Sequence, residues 1–135
     1  MPVGTLVDSN VLLDILTVDP QWVDWSVDAL GDAAEHGPLV INPMIYAEVS
    51  IRFTRVEDLD NALGPQDFLR APLPWEAAFL AGKAFTAYRR RGAVRTAPLP
   101  DFFIGAHAAV GDLSLLTRDA GRYASYFPSV ALITP

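Results

Sequence analysis

Short apolar segments alternate with longer amphipathic segments along the whole chain, and this alternation constrains the fold more than any other feature. Strands that alternate with helices form a parallel sheet covered by helices on both faces. The chain has 135 residues, which suits one domain built around one such sheet. We therefore predict a single α/β domain over residues 1–135. The strands are predicted at 3–7, 38–41, 67–70, 113–117 and 130–133.

Proline, glycine and short polar residues mark the ends of the predicted helices. Asn42 followed by Pro43 is typical of a helix start, and Gly92 and Gly111 are typical of positions just after a helix. The predicted helices run from about Ser9 to Leu16, from Pro20 to His36, from Pro43 to Phe53, from Trp75 to Arg91 and from Pro100 to Val110. A further short helix is predicted after Phe53, ending at Leu63. An exposed loop is predicted from Gly92 to Leu99.

The composition excludes several classes of protein. The sequence has no cysteine, so disulfides and thiolate–metal sites are excluded. No segment approaches the ~18 uninterrupted apolar residues that cross a bilayer, and the first residues lack the basic region of a signal peptide. We expect a cytoplasmic protein that does not enter a membrane.

Two aspartates follow two of the predicted strands. Asp8 comes directly after the first strand in LVDSNVLLD, and Asp119 follows the strand in LSLLTRD. If the two strands are parallel neighbours, their carboxyl ends meet at one edge of the sheet, which is where open α/β folds bind ligands. The two carboxylates are therefore expected to converge.

Two further acidic residues lie on helices that are apolar around them. Asp101 is in the first turn of the helix in LPDFFIGAHA, and Glu48 is surrounded by apolar side chains in NPMIYAEVSIRF. Each of the four acids alone has an ordinary structural explanation: Asp8 and Asp119 as turn residues, Asp101 as a helix cap, and Glu48 as the partner of Arg52.

Taken together, the four carboxylates predict a metal site. Burying several uncompensated carboxylates costs several kcal/mol per ion, and a divalent cation offsets that cost. Oxygen ligands favour Mg²⁺ or Mn²⁺ over zinc, and the two histidines, His36 and His107, are far apart in the sequence. The residues leave open whether one ion or two is bound.

The order of LVDSNVLLD, YAEVS, LPDFFIGAHA and LLTRDAGRYASYFPSV resembles the PIN-domain ribonucleases, and among them the VapC-type toxins of toxin–antitoxin pairs. The resemblance covers nearly the whole chain. It implies a three-layer sandwich with a parallel five-stranded sheet in the order 3-2-1-4-5. It also implies Mg²⁺- or Mn²⁺-dependent cleavage of RNA and inhibition by a cognate antitoxin. The acidic quartet that it implies is Asp8, Glu48, Asp101 and Asp119.

Hydrolysis of a phosphodiester needs these residue types for reasons of chemistry. A metal ion neutralises developing charge and lowers the pKa of bound water. We assign Asp8, Asp101 and Asp119 as metal ligands and Glu48 as a ligand or as the residue that orients the attacking water. Asn10 and Thr117 are expected to hydrogen-bond the ligands.

A basic segment accompanies the acids although the net charge of the chain is −6. Residues 1–82 hold 13 acidic and 3 basic side chains, whereas residues 83–122 hold 3 acidic and 7 basic ones. The dipole of a helix end explains one or two arginines there. Four within seven residues favour phosphate contact, so we predict RNA binding by Arg89, Arg90, Arg91 and Arg95.

Other functions are compatible with parts of this pattern. A structure-specific DNA nuclease would use the same acids, but it usually carries extra helices for which this chain has no room. A non-catalytic RNA- or protein-binding module would not need the intact quartet. A phosphotransfer domain would have Asp-x-Asp after the first strand, where this chain has Ser9 and Asn10 after Asp8. Small apolar side chains on the long helix also permit a homodimer, besides a hetero-oligomer with the antitoxin.

Overall fold

A computed structural model describes residues 2–92, 94 and 99–135 of the chain. Within these residues the chain forms five strands and seven helices. The strands are β1 (Thr5–Val7), β2 (Leu39–Ile41), β3 (Leu69–Arg70), β4 (Ser114–Leu116) and β5 (Leu132–Ile133). The helices are α1 (Ser9–Leu16), α2 (Val23–His36), α3 (Pro43–Ser50), α4 (Val56–Ala62), α5 (Trp75–Arg90), α6 (Pro100–Val110) and α7 (Gly121–Tyr126).

The five strands form one parallel sheet in the order β3-β2-β1-β4-β5, flanked by helices, which confirms the predicted fold class. The central strand β1 pairs Thr5 with Leu39 on one side and with Ser114 on the other. Leu6 and Val7 are fully buried, as expected of a strand covered on both faces. After β1 the chain continues to β2 on one side, and after β4 it continues to β5 on the other side. The carboxyl ends of β1 and β4 therefore form the edge where such folds bind ligands.

Helix α6 is the apolar helix that the sequence predicted, and it is buried. Phe102, Ile104 and Ala106 have no exposed surface, and α6 packs against α5, α7 and β4. The close approach of α7 requires Gly105, because a Cβ there would lie 2.4 Å from the Phe127 ring. This packing places the first turn of α6, with Asp101, above the carboxyl edge of the sheet.

Two helix boundaries differ clearly from the sequence prediction, and one helix was not predicted. Helix α2 begins at Val23 rather than Pro20, because Asp19 Oδ1 accepts the N–H groups of Gln21 and Trp22 and closes a turn first. Helix α3 ends at Ser50 rather than Phe53. After Ser50 the backbone hydrogen bonds join residues three apart, such as Phe53 N–H to Ser50 O. Helix α7 was not predicted; its six residues are too few for a clear periodic pattern.

Other expectations fall outside the described part of the chain or concern membranes. Most of the predicted loop from Gly92 to Leu99, including Arg95, lies outside the described residues. Within the described ranges, none of the helices has the length and hydropathy needed to cross a bilayer.

Candidate active site

Asp8 lies at the carboxyl edge of the sheet and begins the first helix. Its backbone N–H donates to Leu116 O at 2.9 Å, which extends the pairing with β4 by one residue. Its extended backbone (φ −66°, ψ 150°) turns the side chain back onto the first turn of α1, where Oδ1 accepts the Ser9 N–H at 2.7 Å. Asp8 is therefore the N-cap of α1, and its side chain is only 4% exposed.

The other carboxylate oxygen of Asp8 accepts two hydroxyl groups. Thr117 Oγ1 and Tyr123 Oη each donate to Asp8 Oδ2 at 2.9 Å. An oxygen of this type has two lone pairs, so both lone pairs of Oδ2 are used within the chain. Oδ1 keeps one lone pair beyond its bond to Ser9 N–H.

Thr117 hydrogen-bonds Asp8, and Asn10 hydrogen-bonds Thr117. Thr117 Oγ1 accepts Asn10 Nδ2 at 3.2 Å and the Asp119 N–H at 3.1 Å. Because a hydroxyl has one proton, that of Thr117 is directed to Asp8. Asn10 Oδ1 also accepts the Arg118 N–H at 3.2 Å, which ties α1 to the turn after β4.

Glu48 approaches Asp8 from helix α3 through a serine. Ser9 Oγ donates to Glu48 Oε1 at 3.0 Å, and the same serine carries the N–H that Asp8 accepts. Val49, the residue after Glu48, is fully buried and anchors this turn of α3 in the core. The half-buried Glu48 carboxylate is thereby held beside the carboxylate of Asp8.

Asp101 approaches Asp8 from the opposite side, through a tyrosine. Tyr123 Oη lies 2.9 Å from Asp8 Oδ2 and 3.4 Å from Asp101 Oδ1. The second oxygen of Asp101, Oδ2, accepts Arg122 Nη1 at 2.9 Å. The fold therefore brings three of the four predicted acids together: Asp8, Glu48 and Asp101.

Asp119 is close to this cluster through its backbone, while its carboxylate has another contact. Its N–H donates to Thr117 Oγ1, but its Oδ1 accepts the Gly121 N–H at 3.1 Å at the start of α7. Among the described side chains, none of the other three acids contacts the Asp119 carboxylate.

The electrostatics of the cluster follow from this crowding. Burial raises the pKa of Asp8 above its ordinary value; hydrogen bonds from Thr117 and Tyr123 oppose this effect, and repulsion from Asp101 adds to it. Burial likewise raises the pKa of Glu48, with the Ser9 hydrogen bond acting against it and repulsion from Asp8 and Asp101 reinforcing it. Burial also raises the pKa of Tyr123, so its hydroxyl remains a proton donor to Asp8.

The donor set fits a hard divalent cation, because the cluster presents carboxylate and hydroxyl oxygens. His107 lies elsewhere: it is buried against Asn42, whose Nδ2 is 3.0 Å from its Nδ1, and burial lowers its pKa. In the described part of the chain, no three acidic or histidine side chains stand at the spacing of ligands around one ion. Tyr123 Oη stands between Asp8 Oδ2 and Asp101 Oδ1, and Arg122 donates to Asp101 Oδ2.

The predicted RNA-binding arginines lie at the end of α5, and all three that the structure describes are exposed. Arg91 packs over the ring of Tyr126, 4.8 Å from its centroid. Arg89 and Arg90 line a shallow cavity of about 350 Å³ beside Phe85 and Thr86. The three side chains are thus divided between two surfaces.

Three residues of the site were missed by the sequence analysis: Ser9, Arg122 and Tyr123. The signal for Tyr123 was available in part, because a buried tyrosine hydroxyl needs a polar partner. Nothing local identifies that partner as Asp8, which is 115 residues away. Arg122 gives no local signal either, since its partner Asp101 lies on another helix.

The chain matches a protein-family model over most of its length. The family model described as PIN domain matches residues 5–126. Comparison of the sequence with those of curated proteins gives no match.

Solved structures confirm the fold. A chain of VapBC2 from Rickettsia felis, bound to a promoter DNA fragment, superposes with a TM-score of 0.75 at 16% identity, covering 97% of this chain and 98% of that one. A chain of VapBC-1 from nontypeable Haemophilus influenzae gives 0.71 at 15% identity, covering 96% of each. A chain of a toxin–antitoxin complex from Klebsiella pneumoniae gives 0.66 at 22% identity, covering 98% of each.

Proposed function

The chain belongs to the PIN-domain family, and we propose that it is a Mg²⁺- or Mn²⁺-dependent endoribonuclease that acts in the cytoplasm as the toxin of a toxin–antitoxin pair. The observation that carries the proposal is the convergence of Asp8, Glu48 and Asp101 at the carboxyl edge of β1 and β4. Burial raises the pKa of Asp8 and of Glu48, and repulsion from neighbouring carboxylates adds to this, which favours a site that exists for a cation over a structural one.

Each acidic residue has a proposed role. Asp8, Asp101 and Asp119 would hold the cation, with Glu48 as a further ligand or as the group that orients water. A bound divalent cation supplies charge neutralisation at the phosphoryl oxygens and a water of lowered pKa. Thr117 and Asn10 fix the orientation of Asp8 through the directed hydroxyl proton of Thr117.

Glu48 is the residue best suited to take a proton from water. Its Oε1 accepts from Ser9, and its Oε2 has no donor among the described residues. The raised pKa of Glu48 makes it a stronger base than an ordinary carboxylate. The buried Asp8, which accepts three donors, is better suited to a fixed ligand role.

A cleavage assay tests the nuclease. Labelled single-stranded RNA and DNA of one sequence are incubated with the protein in Mg²⁺, Mn²⁺ or EDTA. We expect cleavage of RNA that requires the metal and is lost in Asp8→Asn. The control is Asp24→Asn, a neutralised acid on the exposed face of α2. Cleavage of DNA alone would indicate a DNA nuclease, and binding of RNA without cleavage would indicate a non-catalytic module.

The proposed partner is an antitoxin. Solved structures of the same fold include toxin–antitoxin complexes, which supports this class of partner. We propose that a hydrophobic segment of the partner packs near the helices of residues 9–36 and 43–63, where Val27, Ile51 and Val56 are exposed. A basic residue would reach Asp8, Glu48, Asp101 and Asp119, because a guanidinium can neutralise such carboxylates.

Co-expression with the adjacent reading frame tests the partner. Each arginine or lysine of the partner's tail is replaced in turn, and RNA cleavage by the purified complex is measured. At least one replacement should restore cleavage while the complex persists. Full inhibition by every variant would instead mean that the partner blocks the site by covering it.

Self-association is a further part of this proposal. Trp75 and Phe79, on one face of α5, are 89% and 68% exposed, and large apolar side chains of this kind mark interfaces when they cluster. We propose a homodimer or a toxin–antitoxin hetero-oligomer that covers them. Light scattering of the wild type and of Trp75→Ser/Phe79→Ser measures the oligomeric state.

A further inference from the structure

We infer that Arg122 is a phosphate-binding residue for the RNA substrate, held in place by Asp101 until a cation takes that carboxylate. This inference rests on the proposed function. Arg122 is not among the site residues that the sequence motifs predicted. The inference also explains why a positively charged side chain of the protein is paired with one of the acids.

The arrangement of Arg122 has two independent parts. Its Nη1 donates to Asp101 Oδ2 at 2.9 Å. Its guanidinium also lies over two aromatic rings, 5.3 Å from the centroid of Tyr88 and 5.6 Å from that of Phe102. Stacking on aromatic faces holds a guanidinium without using its donors. The rings therefore keep Arg122 beside the site whether or not Asp101 accepts from it.

A cation and Arg122 compete for Asp101. Both oxygens of Asp101 already face donors of the chain: Oδ1 lies 3.4 Å from Tyr123 Oη, and Oδ2 accepts Arg122. If Asp101 held a divalent cation, its Oδ2 would no longer be free to accept Arg122, and the two positive charges would repel. Arg122 would then remain on its aromatic rings as a cation without a carboxylate.

A phosphate is the group that restores a partner to Arg122. A guanidinium binds phosphate oxygens through paired N–H donors, and the Arg122 side chain is 30% exposed beside a 31% exposed Asp101. A phosphodiester that reaches the acidic cluster comes within the range of Arg122. Cation binding and RNA binding are therefore expected to support each other through this side chain.

Arg118, in the same region, is held more firmly than Arg122. Its Nε and Nη2 donate to Asp14, a carboxylate that is 3% exposed, at 2.6 and 3.1 Å. That pair is buried on the acidic side and made through two nitrogens, so it stays closed. Arg122 has one bond to a carboxylate that is open to solvent, which is the arrangement that can exchange.

The variant that tests the exchange is Arg122→Gln, with Arg122→Met as a second variant that keeps packing on the rings. The matched control is Arg70→Gln. Arg70 also donates one nitrogen to an aspartate, Asp60, at 2.8 Å and also lies over a tyrosine, Tyr46, at 5.1 Å. It is on the edge strand β3, away from the acidic cluster.

Two affinities are measured for each protein. Calorimetry with Mg²⁺ alone gives the affinity for the cation. Fluorescence anisotropy with a labelled 2′-O-methyl oligoribonucleotide, checked on a gel to stay intact, gives the affinity for RNA in Mg²⁺ and in EDTA. Melting temperatures show that the variants are folded.

The exchange predicts opposite changes in the two affinities. Both Arg122 variants should bind Mg²⁺ about fivefold more tightly, because the cation no longer displaces a partly exposed ion pair. They should bind RNA about tenfold more weakly in Mg²⁺, with a smaller loss in EDTA, where Asp101 retains the wild-type guanidinium. Arg70→Gln should change neither affinity.

Two results would overturn the inference and are distinct from failure of the proposed function. Unchanged or weaker Mg²⁺ binding in both Arg122 variants would mean that Arg122 only holds Asp101 in position. An RNA affinity equal to that of the wild type in Mg²⁺ would mean that Arg122 does not bind phosphate. In either case a wild type that cuts RNA leaves the nuclease proposal standing, whereas a wild type that binds neither Mg²⁺ nor RNA overturns both.

Discussion

Arg118 and Asp14 form a two-point ion pair that joins the turn after β4 to helix α1, with Nε–Oδ2 and Nη2–Oδ1 distances of 2.6 and 3.1 Å. Ser26 Oγ also donates to Asp14 Oδ2 at 2.8 Å, and Arg118 lies over the ring of Trp22. Arg118 stands between Thr117 and Asp119 in the sequence. The pair therefore helps to hold in place the turn that carries Thr117 and Asp119.

Because Asp14 is much more buried than Arg118, replacing either residue should lower the free energy of unfolding by a different amount. Arg118→Met leaves a buried carboxylate without its cation and should lower the free energy of unfolding by about 3–5 kcal/mol. Asp14→Asn should cost less, because Arg118, 29% exposed, can turn to water. Urea denaturation measures both. Arg70→Met, at the half-exposed Arg70–Asp60 pair, is the control and should cost about 1 kcal/mol or less. Equal losses for Arg118→Met and Asp14→Asn would contradict this account.

The raised pKa values of Asp8 and Glu48 predict a pH dependence of stability. A carboxyl whose pKa is higher in the folded state binds protons more readily there than in the unfolded chain. Above the folded-state pKa the carboxyl is charged in both states, and its charge destabilises the folded protein by the full amount. This destabilisation decreases as the pH falls to the ordinary pKa values of 3.8 for Asp8 and 4.5 for Glu48.

Asp8→Asn and Glu48→Gln should each remove part of this dependence, measured as free energy of unfolding against pH in EDTA. Asp8→Asn favours the folded state by removing a repelling charge. The structure adds an opposing cost, because the amide nitrogen must face one of the donors that Asp8 accepts. A pH profile identical to that of the wild type in both variants would show that these groups titrate normally.

Asp119→Asn separates the hydrogen bond of Asp119 to the Gly121 N–H from its proposed role as a ligand. The amide oxygen of asparagine is also an acceptor, so the Gly121 N–H keeps its partner and the stability without metal should stay close to that of the wild type. The thermal stabilisation by Mg²⁺, which grows with the ratio of concentration to Kd, should decrease because one anionic ligand is lost. The variant in which Asp8, Glu48, Asp101 and Asp119 are all amides should show no stabilisation. A full Mg²⁺ shift in Asp119→Asn would restrict Asp119 to its hydrogen bond with the Gly121 N–H.

The division of the arginines between two surfaces predicts different effects on RNA binding. Arg91 packs on Tyr126, whose ring centroid is 5.6 Å from that of Phe102, one of the rings under Arg122. Arg91→Gln should therefore weaken RNA binding more than Arg89→Gln or Arg90→Gln. Each lost phosphate contact lowers the slope of log K against log salt by about 0.7 for a single strand. Salt titrations of the three single variants and of the variant that also replaces Arg95 measure this, and an unaltered slope throughout would leave these arginines with a structural role.

Much of the site could be predicted because its acids follow elements with a clear pattern. Asp8 follows a fully buried strand, and Asp101 and Glu48 lie on helices with apolar neighbours, so their convergence follows from the order of the elements. The contacts of Tyr123 and Arg122 could not be predicted in the same way. They depend on α7, which at six residues is too short to be stable without tertiary packing.

The sequence by itself determined the parallel sheet and the edge at which the acids gather, because hydrophobic period and helix signals are local and the carboxyl ends of parallel strands must meet. Only the tertiary structure decided what each carboxylate contacts. The Asp119 carboxylate accepts the N–H of Gly121, Tyr123 stands between Asp8 and Asp101, and Arg122 neutralises one oxygen of Asp101. The physical reason is that side-chain hydrogen bonds between distant residues depend on distances of a few tenths of an ångström, which are set by how α6 and α7 pack and not by the spacing of residues along the chain.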